Sequence, residues 1–305
     1  MTQIQYKGTG SATGRTGSRY WRSKSAYLGV IPFLLLSGLF LLYPTWNVAS
    51  GAFQDNKGKF STTVLKEVFN SSLARHAFSN SLEISAKTAI AGAILGGLFA
   101  WALVNGKQGS YFYRVSVALS SVLAQFGGVM LTFAFLATFG FNGLVANLAV
   151  KFAPNTFLTD PSWLYGKVGV SVLYTFFQIP LMVLVFLPTL ENLKPQWREA
   201  SDALGGKAYE FWLRIGIPIL TPSFAGATLL LFVNSFSAYA TAATLINLSD
   251  FITPLQIATA LTSETGGSNP AEAKALSLCM VIVVVIAMTF YALLRRRVGK
   301  WEQRR

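Results

Sequence analysis

Six long apolar blocks restrict this chain to a membrane fold. Each block carries no charged residue, apart from Lys87 near the start of the second. About 20 helical residues cross a hydrocarbon core of roughly 30 Å. A helix on the surface of a soluble protein has a solvated polar face, and these blocks have none. We therefore predict an all-α integral membrane protein whose six transmembrane helices lie within Tyr27–Ala49, Ile84–Val104, Val115–Phe139, Val168–Leu190, Phe224–Leu248 and Ala275–Leu294.

The composition supports this prediction and excludes other classes. Hydrophobic residues make up 52% of the 305 residues and charged residues only 12%, whereas soluble domains are about a quarter charged. One cysteine, Cys279, cannot form an internal disulfide, and one histidine, His76, cannot form a metal site without further ligands. We therefore expect neither a disulfide-stabilised secreted domain nor a metal centre.

The positive charge follows the predicted topology. The chain has 25 Lys and Arg against 12 Asp and Glu. With the amino terminus inside, basic residues concentrate before the first span, between spans two and three, between spans four and five, and after the last span. Because this bias is the positive-inside pattern, we expect both termini in the cytoplasm. The charge then favours contact with membrane lipid headgroups, and no nucleic acid is expected as a partner.

The ends of the chain differ in composition from its middle. Residues 1–24 are rich in Gly, Ser and Thr and carry no acidic residue, which predicts a disordered basic cytoplasmic tail rather than a signal peptide. Residues 25–74 hold the first transmembrane helix and an outer loop. Residues 75–297 hold the other five transmembrane helices, and residues 298–305 form a basic carboxyl-terminal tail.

The connection between spans four and five, residues 191–223, is the most informative stretch. Pro195 begins a helical pattern with the sequence QWREASDAL, and Gly205 and Gly206 interrupt it. The following KAYEFWLRIG predicts a second short helix that Pro218 ends. Gly205 permits the turn between the two helices without Cβ strain. We expect an amphipathic helix–turn–helix that lies along the inner membrane face and presents a docking surface.

This loop carries a family signature. Glu199-Ala200-Ser201, then Gly205, then Ile215-x-Ile217-Pro218, resembles the EAA motif of permease subunits of binding-protein-dependent ABC importers, roughly E-A-A-x3-G-x9-I-x-L-P. Three positions depart from that motif: Ser201 replaces Ala, Gly206 stands where Ala is common, and Ile217 replaces Leu. These changes conserve small or similar side-chain volumes. Weaker resemblances extend the likeness over roughly residues 75–295, at Asn80-Ser81, Phe139-Gly140-x-x-Gly143, Asn147-Leu148 and Phe177-x-x-Pro180.

The resemblance implies a type I ABC importer permease fold in a bacterial inner membrane. The loop would be a coupling helix seated in a groove of a cytoplasmic ATPase subunit, and the residues implied in that coupling are Glu199, Ala200, Ser201, Asp202, Gly205, Ile217 and Pro218. The chain has no Walker A motif, so we expect a transport subunit that is not itself an enzyme and carries no cofactor. ATP and Mg would lie on a partner ATPase dimer. The other implied partners are a second permease subunit, favoured as a paralogue in a heterodimer, and an extracytoplasmic substrate-binding protein.

Uncharged polar residues within the spans are candidates for a translocation path. They are Gln125, Thr132, Gln178, Asn234, Ser235, Ser237, Tyr239 and Thr241. Such side chains can line a water-filled path, or they can hold helices together at about 1 kcal/mol or less each. The sequence leaves both roles open. The pair Gly92 and Gly96 has the spacing of a close helix contact, but we interpret it as the general glycine richness of apolar spans.

Two other classes of protein fit less well. An ion-coupled secondary transporter would need buried Asp, Glu or His relays and inverted halves, and an intramembrane enzyme would need a nucleophile–base pair or a metal cluster. For the substrate, the segment 236–241 (FSAYAT) with Ile252-Thr253-Pro254-Leu255 resembles polyamine, iron and phosphonate permeases more than sugar permeases. We predict import of a polyamine such as spermidine or putrescine, with sugar, iron and phosphonate as alternatives.

Overall fold

The structure is a computed structural model that describes residues 30–54, 59–106, 109–152, 156, 159–245, 252–262 and 269–302, with the backbone alone for residues 294–302. The predicted amino-terminal tail, residues 1–24, and the last three residues of the predicted carboxyl-terminal tail lie outside these ranges. The chain forms two compact units, which divide between Asn47 and Val48.

The described part of the first unit is helical and apolar. Helix α1, Ile31–Ser37, is followed by a π-helical turn, Gly38–Leu42. Helix α2, Tyr43–Gly51, begins in this unit and runs past the division. The whole run Ile31–Gly51 lacks charged residues and is long enough to cross a membrane.

The described regular elements of the second unit are also helices. Helix α3 is Thr63–Asn70, α4 is Ser72–Asn105, α5 is Tyr111–Gln125, α6 is Val129–Phe139 and α7 is Leu144–Phe152. After a 3-10 turn at Pro161–Leu164 come α8, Lys167–Glu191, α9, Pro195–Ala203, and α10, Ala208–Phe211. A π-helical turn, Trp212–Gly216, joins α10 to α11, Ile217–Ser237. The last helices are α12, Ala240–Leu245, α13, Thr253–Thr262, and α14, Pro270–Glu302.

Serine side chains begin two of these helices. Ser71 Oγ accepts a hydrogen bond from the backbone N–H of Ala74 at 3.4 Å, and Ser110 Oγ accepts one from the N–H of Tyr113 at 3.2 Å. Each bond satisfies one of the first-turn donors that have no partner inside a helix. The second bond fixes where α5 starts, and therefore where Tyr113 lies.

Six helical runs in the described ranges are long and apolar enough to cross a membrane, namely Ile31–Gly51, Ser72–Asn105, Val129–Phe152, Lys167–Glu191, Ala208–Ser237 and Pro270–Leu293. The predicted all-α class with six transmembrane helices is therefore confirmed. All six runs overlap the predicted blocks, although their ends differ. The placement of both termini in the cytoplasm stays a prediction.

The predicted third span, Val115–Phe139, is wrong as a single helix. Helix α5 ends before Phe126, and Gly128 has a φ of +69°. This left-handed backbone conformation carries no steric penalty for glycine but is strained for residues with a Cβ atom. The break separates α5 from α6, so the membrane-crossing run moves to Val129–Phe152.

Helices α4 and α8 approach each other closely where α4 carries glycine. A Cβ atom on Gly96 would lie 2.6 Å from the carbonyl oxygen of Ile179 and 2.6 Å from Cβ of Met182. A Cβ atom on Gly92 would lie 2.6 Å from Cβ of Gln178. The interpretation of this pair as general glycine richness is therefore wrong. Both positions face a neighbouring helix, and small residues permit that approach in a membrane.

The main hydrophobic cluster lies between α4, α8 and α11. Its fully buried members include Met182 and Val183 from α8 and Leu231 from α11. Tyr113 from α5, Leu193 after α8 and Trp212 after α10 pack against its edge. The predicted loop of residues 191–223 is therefore attached to this cluster at both of its ends.

Candidate functional site

Helix α9 is the most exposed part of the predicted docking loop. The helix begins at Pro195, whose fixed φ suits the first helical turn, and it contains no buried residue. Leu204, just after it, is 90% exposed. The residues of α9 are exposed apart from Trp197 and Ser201, which are half-buried.

The turn after α9 has the geometry that the sequence predicts. Gly205 has a φ of +77° and donates its N–H to the carbonyl oxygen of Asp202 at 3.0 Å. Gly206 donates to the carbonyl oxygen of Ser201 at 2.9 Å. A Cβ atom on Gly206 would lie 2.7 Å from Ser201 Oγ and 2.9 Å from that oxygen. Gly206, which departs from the family motif, is therefore required by the close fold-back of the chain onto Ser201.

The second helix of the loop does not end where the sequence predicts. The run Ala208–Ser237 is helical throughout, so the prediction that Pro218 ends a short helix is wrong. The π-helical turn Trp212–Gly216 precedes Pro218, and Ile217 N–H bonds to the carbonyl oxygen of Trp212. Pro218 is thus an early residue of α11, where its missing N–H is tolerated. The predicted fifth span, Phe224–Leu248, correspondingly ends earlier, since Ala238 is extended.

The acidic residues of the loop separate into two groups. Glu191 accepts a hydrogen bond from the hydroxyl of Tyr113. Glu210 accepts from the backbone N–H of Lys207 at 3.0 Å and lies 4.0 Å from Arg214. Glu199 and Asp202, by contrast, are exposed, and no side-chain hydrogen bond or ion pair ties them to other described residues. Of the predicted coupling residues, these two offer free negative charge to a partner.

The bond between Tyr113 and Glu191 was not predicted from the sequence. Seventy-eight positions separate the two residues, so no local pattern connects them. The hydrogen bond to the carboxylate, with some burial, raises the pKa of the Tyr113 phenol above its ordinary value. The protonated phenol that this bond requires is therefore the stable form at neutral pH. Tyr113 lies outside the six candidate spans, at the beginning of α5.

Some of the predicted path residues are buried between helices. Gln178 Nε2 donates to Thr88 Oγ1 at 3.3 Å, and Thr88 Oγ1 lies 3.0 Å from Ser235 Oγ. These contacts join α8, α4 and α11 through side chains that are all at least 98% buried. Thr132 and Thr241 are also buried. Their place in a translocation path stays a prediction.

The other predicted path residues are exposed in this structure. They are Gln125, Asn234, Ser237 and Tyr239. Asn234 and Ser237 lie one turn apart on α11, so they share a face of that helix. Ser237 Oγ donates to the carbonyl oxygen of Val233 at 2.9 Å, which leaves its oxygen free to accept. Within the described part of the chain, no three His, Cys, Asp or Glu side chains come together to hold a metal ion.

Sequence comparison relates the chain to permease proteins. It is 23% identical over 270 residues to the ferric transport system permease protein FbpB of Actinobacillus pleuropneumoniae, covering 86% of this chain and 36% of that protein. A second FbpB, from Haemophilus influenzae, is 22% identical over 207 residues, covering 68% of this chain and 32% of that protein. The sulfate transport system permease protein CysT of Escherichia coli is 28% identical over 101 residues, covering 33% of this chain and 34% of that protein. The chain thus spans about a third of the length of these curated relatives, and no protein-family model matches it. These names do not support the predicted polyamine type.

Structure comparison identifies the fold. The bacterial alginate ABC transporter, solved in complex with its alginate pentasaccharide-bound periplasmic protein, matches with a TM-score of 0.68 and 16% identity over 90% of this chain and 95% of that chain. The MetNI methionine ABC transporter matches with a TM-score of 0.54 and 14% identity over 73% of this chain and 94% of that chain. This chain is a multi-pass membrane protein with the fold of ABC transporter permeases, and its sequence is similar to permease proteins of ferric and sulfate transport systems.

Proposed function

We propose that this chain is a membrane subunit of an ATP-driven importer and that α9 couples it to a separate ATPase. The observation that carries the proposal is the exposed helix α9 with its turn at Gly205, set between two membrane-crossing runs. Free carboxylates at Glu199 and Asp202 and the exposed Leu204 give this surface both charge and apolar area. A basic groove with an apolar floor is the partner surface that such a helix fits.

The remaining partners are inferred from the fold. ATP and Mg would bind to the ATPase dimer, since the sequence has no Walker A motif. The alginate transporter that shares this fold was solved with a periplasmic protein, which supports delivery of the solute by a binding protein here. A second permease subunit, a paralogue of this chain, would complete the path. The chain would lie in a bacterial inner membrane, with both termini in the cytoplasm.

For the solute we propose an inorganic ion, with ferric iron first. The sequence relatives are named for ferric and sulfate transport, and the ferric relatives match over 86% and 68% of this chain. The alginate and methionine transporters share the fold at 14–16% identity and therefore carry no argument about the solute. Asn234 and Ser237 on α11, with Tyr239 after it, offer uncharged polar contacts along a path.

The coupling role is tested by changing the charge of α9. The complex is purified in mild detergent through a tag on this chain, and the bound ATPase subunit is quantified for the wild type, Glu199→Lys and Glu67→Lys. Glu67 is an exposed carboxylate on α3, so it controls for the charge change alone. We expect Glu199→Lys to lose most of the ATPase subunit and of transport, while Glu67→Lys behaves as wild type. Wild-type protein that brings down no ATPase, or Glu199→Lys that couples normally, would refute the role.

The solute is tested separately by uptake. Cells that lack this permease are complemented with the gene and supplied with labelled ferric iron, sulfate or spermidine. We expect restored uptake of ferric iron. Uptake of spermidine alone would support the polyamine prediction instead, and uptake of sulfate alone would keep the inorganic class but exclude iron.

A further inference from the structure

Helix α9 contains no buried residue, yet the chain on each side of it packs against the main hydrophobic cluster. On the amino-terminal side of α9, α8 ends at Glu191, and Leu193 packs against the main hydrophobic cluster. On the carboxyl-terminal side of α9, Phe211 is buried and Trp212 packs against the same cluster. An element that moves as a rigid lever needs such fixed points, because an unanchored loop absorbs displacement in its own backbone.

The anchor on the amino-terminal side of α9 is the hydrogen bond from the Tyr113 hydroxyl to Glu191. Tyr113 is positioned by the Ser110 cap of α5 and by its ring, which packs on the main cluster. Only three residues, 192–194, lie between Glu191 and the first residue of α9. Three residues span at most about 10 Å, so this bond holds α5 to the point where α9 is attached.

The anchor on the carboxyl-terminal side of α9 is a contact between aromatic rings. The rings of Trp101, near the end of α4, and Trp212 meet edge to face with centroids 6.2 Å apart. Phe211 and Trp212 are in contact as well, with centroids 5.7 Å apart. Trp212 begins the π-helical turn that continues into α11. This contact therefore ties the other end of the exposed segment to α4.

We propose that the Tyr113–Glu191 hydrogen bond and the Trp101–Trp212 contact are the two anchors of the α9 lever, and that Tyr113 is a positioning residue for coupling. The inference rests on the proposed function, since it assigns to α9 a partner that moves it. With both anchors in place, a displacement of α9 turns α8 and α11 together. Without the Tyr113–Glu191 bond, the end of α8 and residues 192–194 absorb part of that displacement, and less solute is transported per ATP hydrolysed.

The test measures solute transported per ATP hydrolysed in the complete complex, reconstituted in liposomes with its ATPase and binding protein. Tyr113→Phe removes the hydroxyl and keeps the ring, so the packing on the main cluster survives. We expect transport per ATP to fall about three- to tenfold, since one hydrogen bond at a solvent-exposed site is lost. The amount of ATPase bound to the permease should stay at the wild-type level. Tyr111→Phe is the matched control, because Tyr111 lies two residues away and is 85% exposed.

A second variant separates anchoring from folding. Glu191→Ala should reproduce the loss seen for Tyr113→Phe, and the double variant should be no worse than either, because both remove one interaction. Glu191→Gln, which keeps an acceptor oxygen, should retain most of the coupling. Additive losses in the double variant, or an unchanged transport ratio for Tyr113→Phe, would overturn the anchor while leaving the proposed function standing. A wild-type complex that contains no ATPase would instead refute the proposed function itself.

Discussion

Replacing Gly96 by alanine tests the close crossing of α4 and α8. The added Cβ would lie 2.6 Å from the Ile179 carbonyl oxygen and 2.6 Å from Met182 Cβ, whereas carbon atoms in good contact lie about 3.5–4.0 Å apart. One obstacle is backbone and the other is the first atom of a buried side chain, so neither can rotate away. The helices must separate by about 1 Å, and overpacking of this kind costs about 1–3 kcal/mol.

Gly97 provides the matched control on the same helix. A Cβ there would lie 2.9 Å from Cε2 of Phe224, at the far edge of a half-buried ring that can turn aside. Both substitutions gain the same helix propensity, about 1 kcal/mol for alanine over glycine. We therefore expect Gly97→Ala to be neutral or slightly stabilising. Gly96→Ala should be less stable than Gly97→Ala by about 2 kcal/mol.

The measurement is unfolding of the purified subunit in detergent, by heat or by increasing denaturant, followed by helical circular dichroism. Because both variants carry the same chemical change one residue apart, expression and micelle effects cancel in the comparison. Gly96→Ala should unfold first, well before Gly97→Ala. If the two variants unfold together, α4 and α8 are not in close contact at Gly96, and the role assigned to this glycine fails.

Three further predictions concern single groups. Glu191→Gln should lower the pKa of Tyr113 toward its ordinary value, observed as phenolate absorbance during an alkaline titration and compared with Tyr113→Phe. The phenol donates only while protonated, so in the wild type the bond stabilises the fold below the ordinary tyrosine pKa and is lost as the pH rises through the raised value. Gly205→Ala should weaken binding of the ATPase severalfold, because its φ of +77° costs a residue with a Cβ about 1–2 kcal/mol. Gln178→Leu should change stability by less than about 1 kcal/mol, since its bond to Thr88 is long and its Oε1 has no partner among the described residues. A large loss of transport at unchanged stability would instead place Gln178 in the solute path.

The number of spans and the place of α9 could be predicted from the sequence because each depends on local signals. Uncharged blocks of about 20 residues mark a membrane helix whatever they pack against. Pro195 at the start of α9 and Gly205 after it act through their own backbone preferences. Such features require no knowledge of neighbouring helices, and the structure reproduces them.

The crossing at Gly96 and the bond at Tyr113 could not be predicted, because their partners lie far along the chain. Gly96 faces Ile179 and Tyr113 faces Glu191. One sequence does not show which glycine meets a helix and which meets lipid. The position of Gln178 between helices was equally unpredictable, because it depends on the register of α4 against α8.

The continuous helix through Pro218 shows how tertiary structure overrides a local signal, and it bears on coupling. Proline in a helix interior removes a hydrogen bond and clashes with the carbonyl four residues before it, which is why the sequence predicts a stop. The π-helical turn Trp212–Gly216 widens the helix just before Pro218 and shifts the bonding pattern by one residue, so the helix continues. The run Ala208–Ser237 is therefore one continuous helical run of 30 residues, about 45 Å long. Its helical backbone continues from the first turn to the far end, through the π-helical turn and past Pro222. The helix is interrupted on both sides of α9, at residues 192–194 and at residues 204–207, so transmission of its movement depends on an anchor on each side.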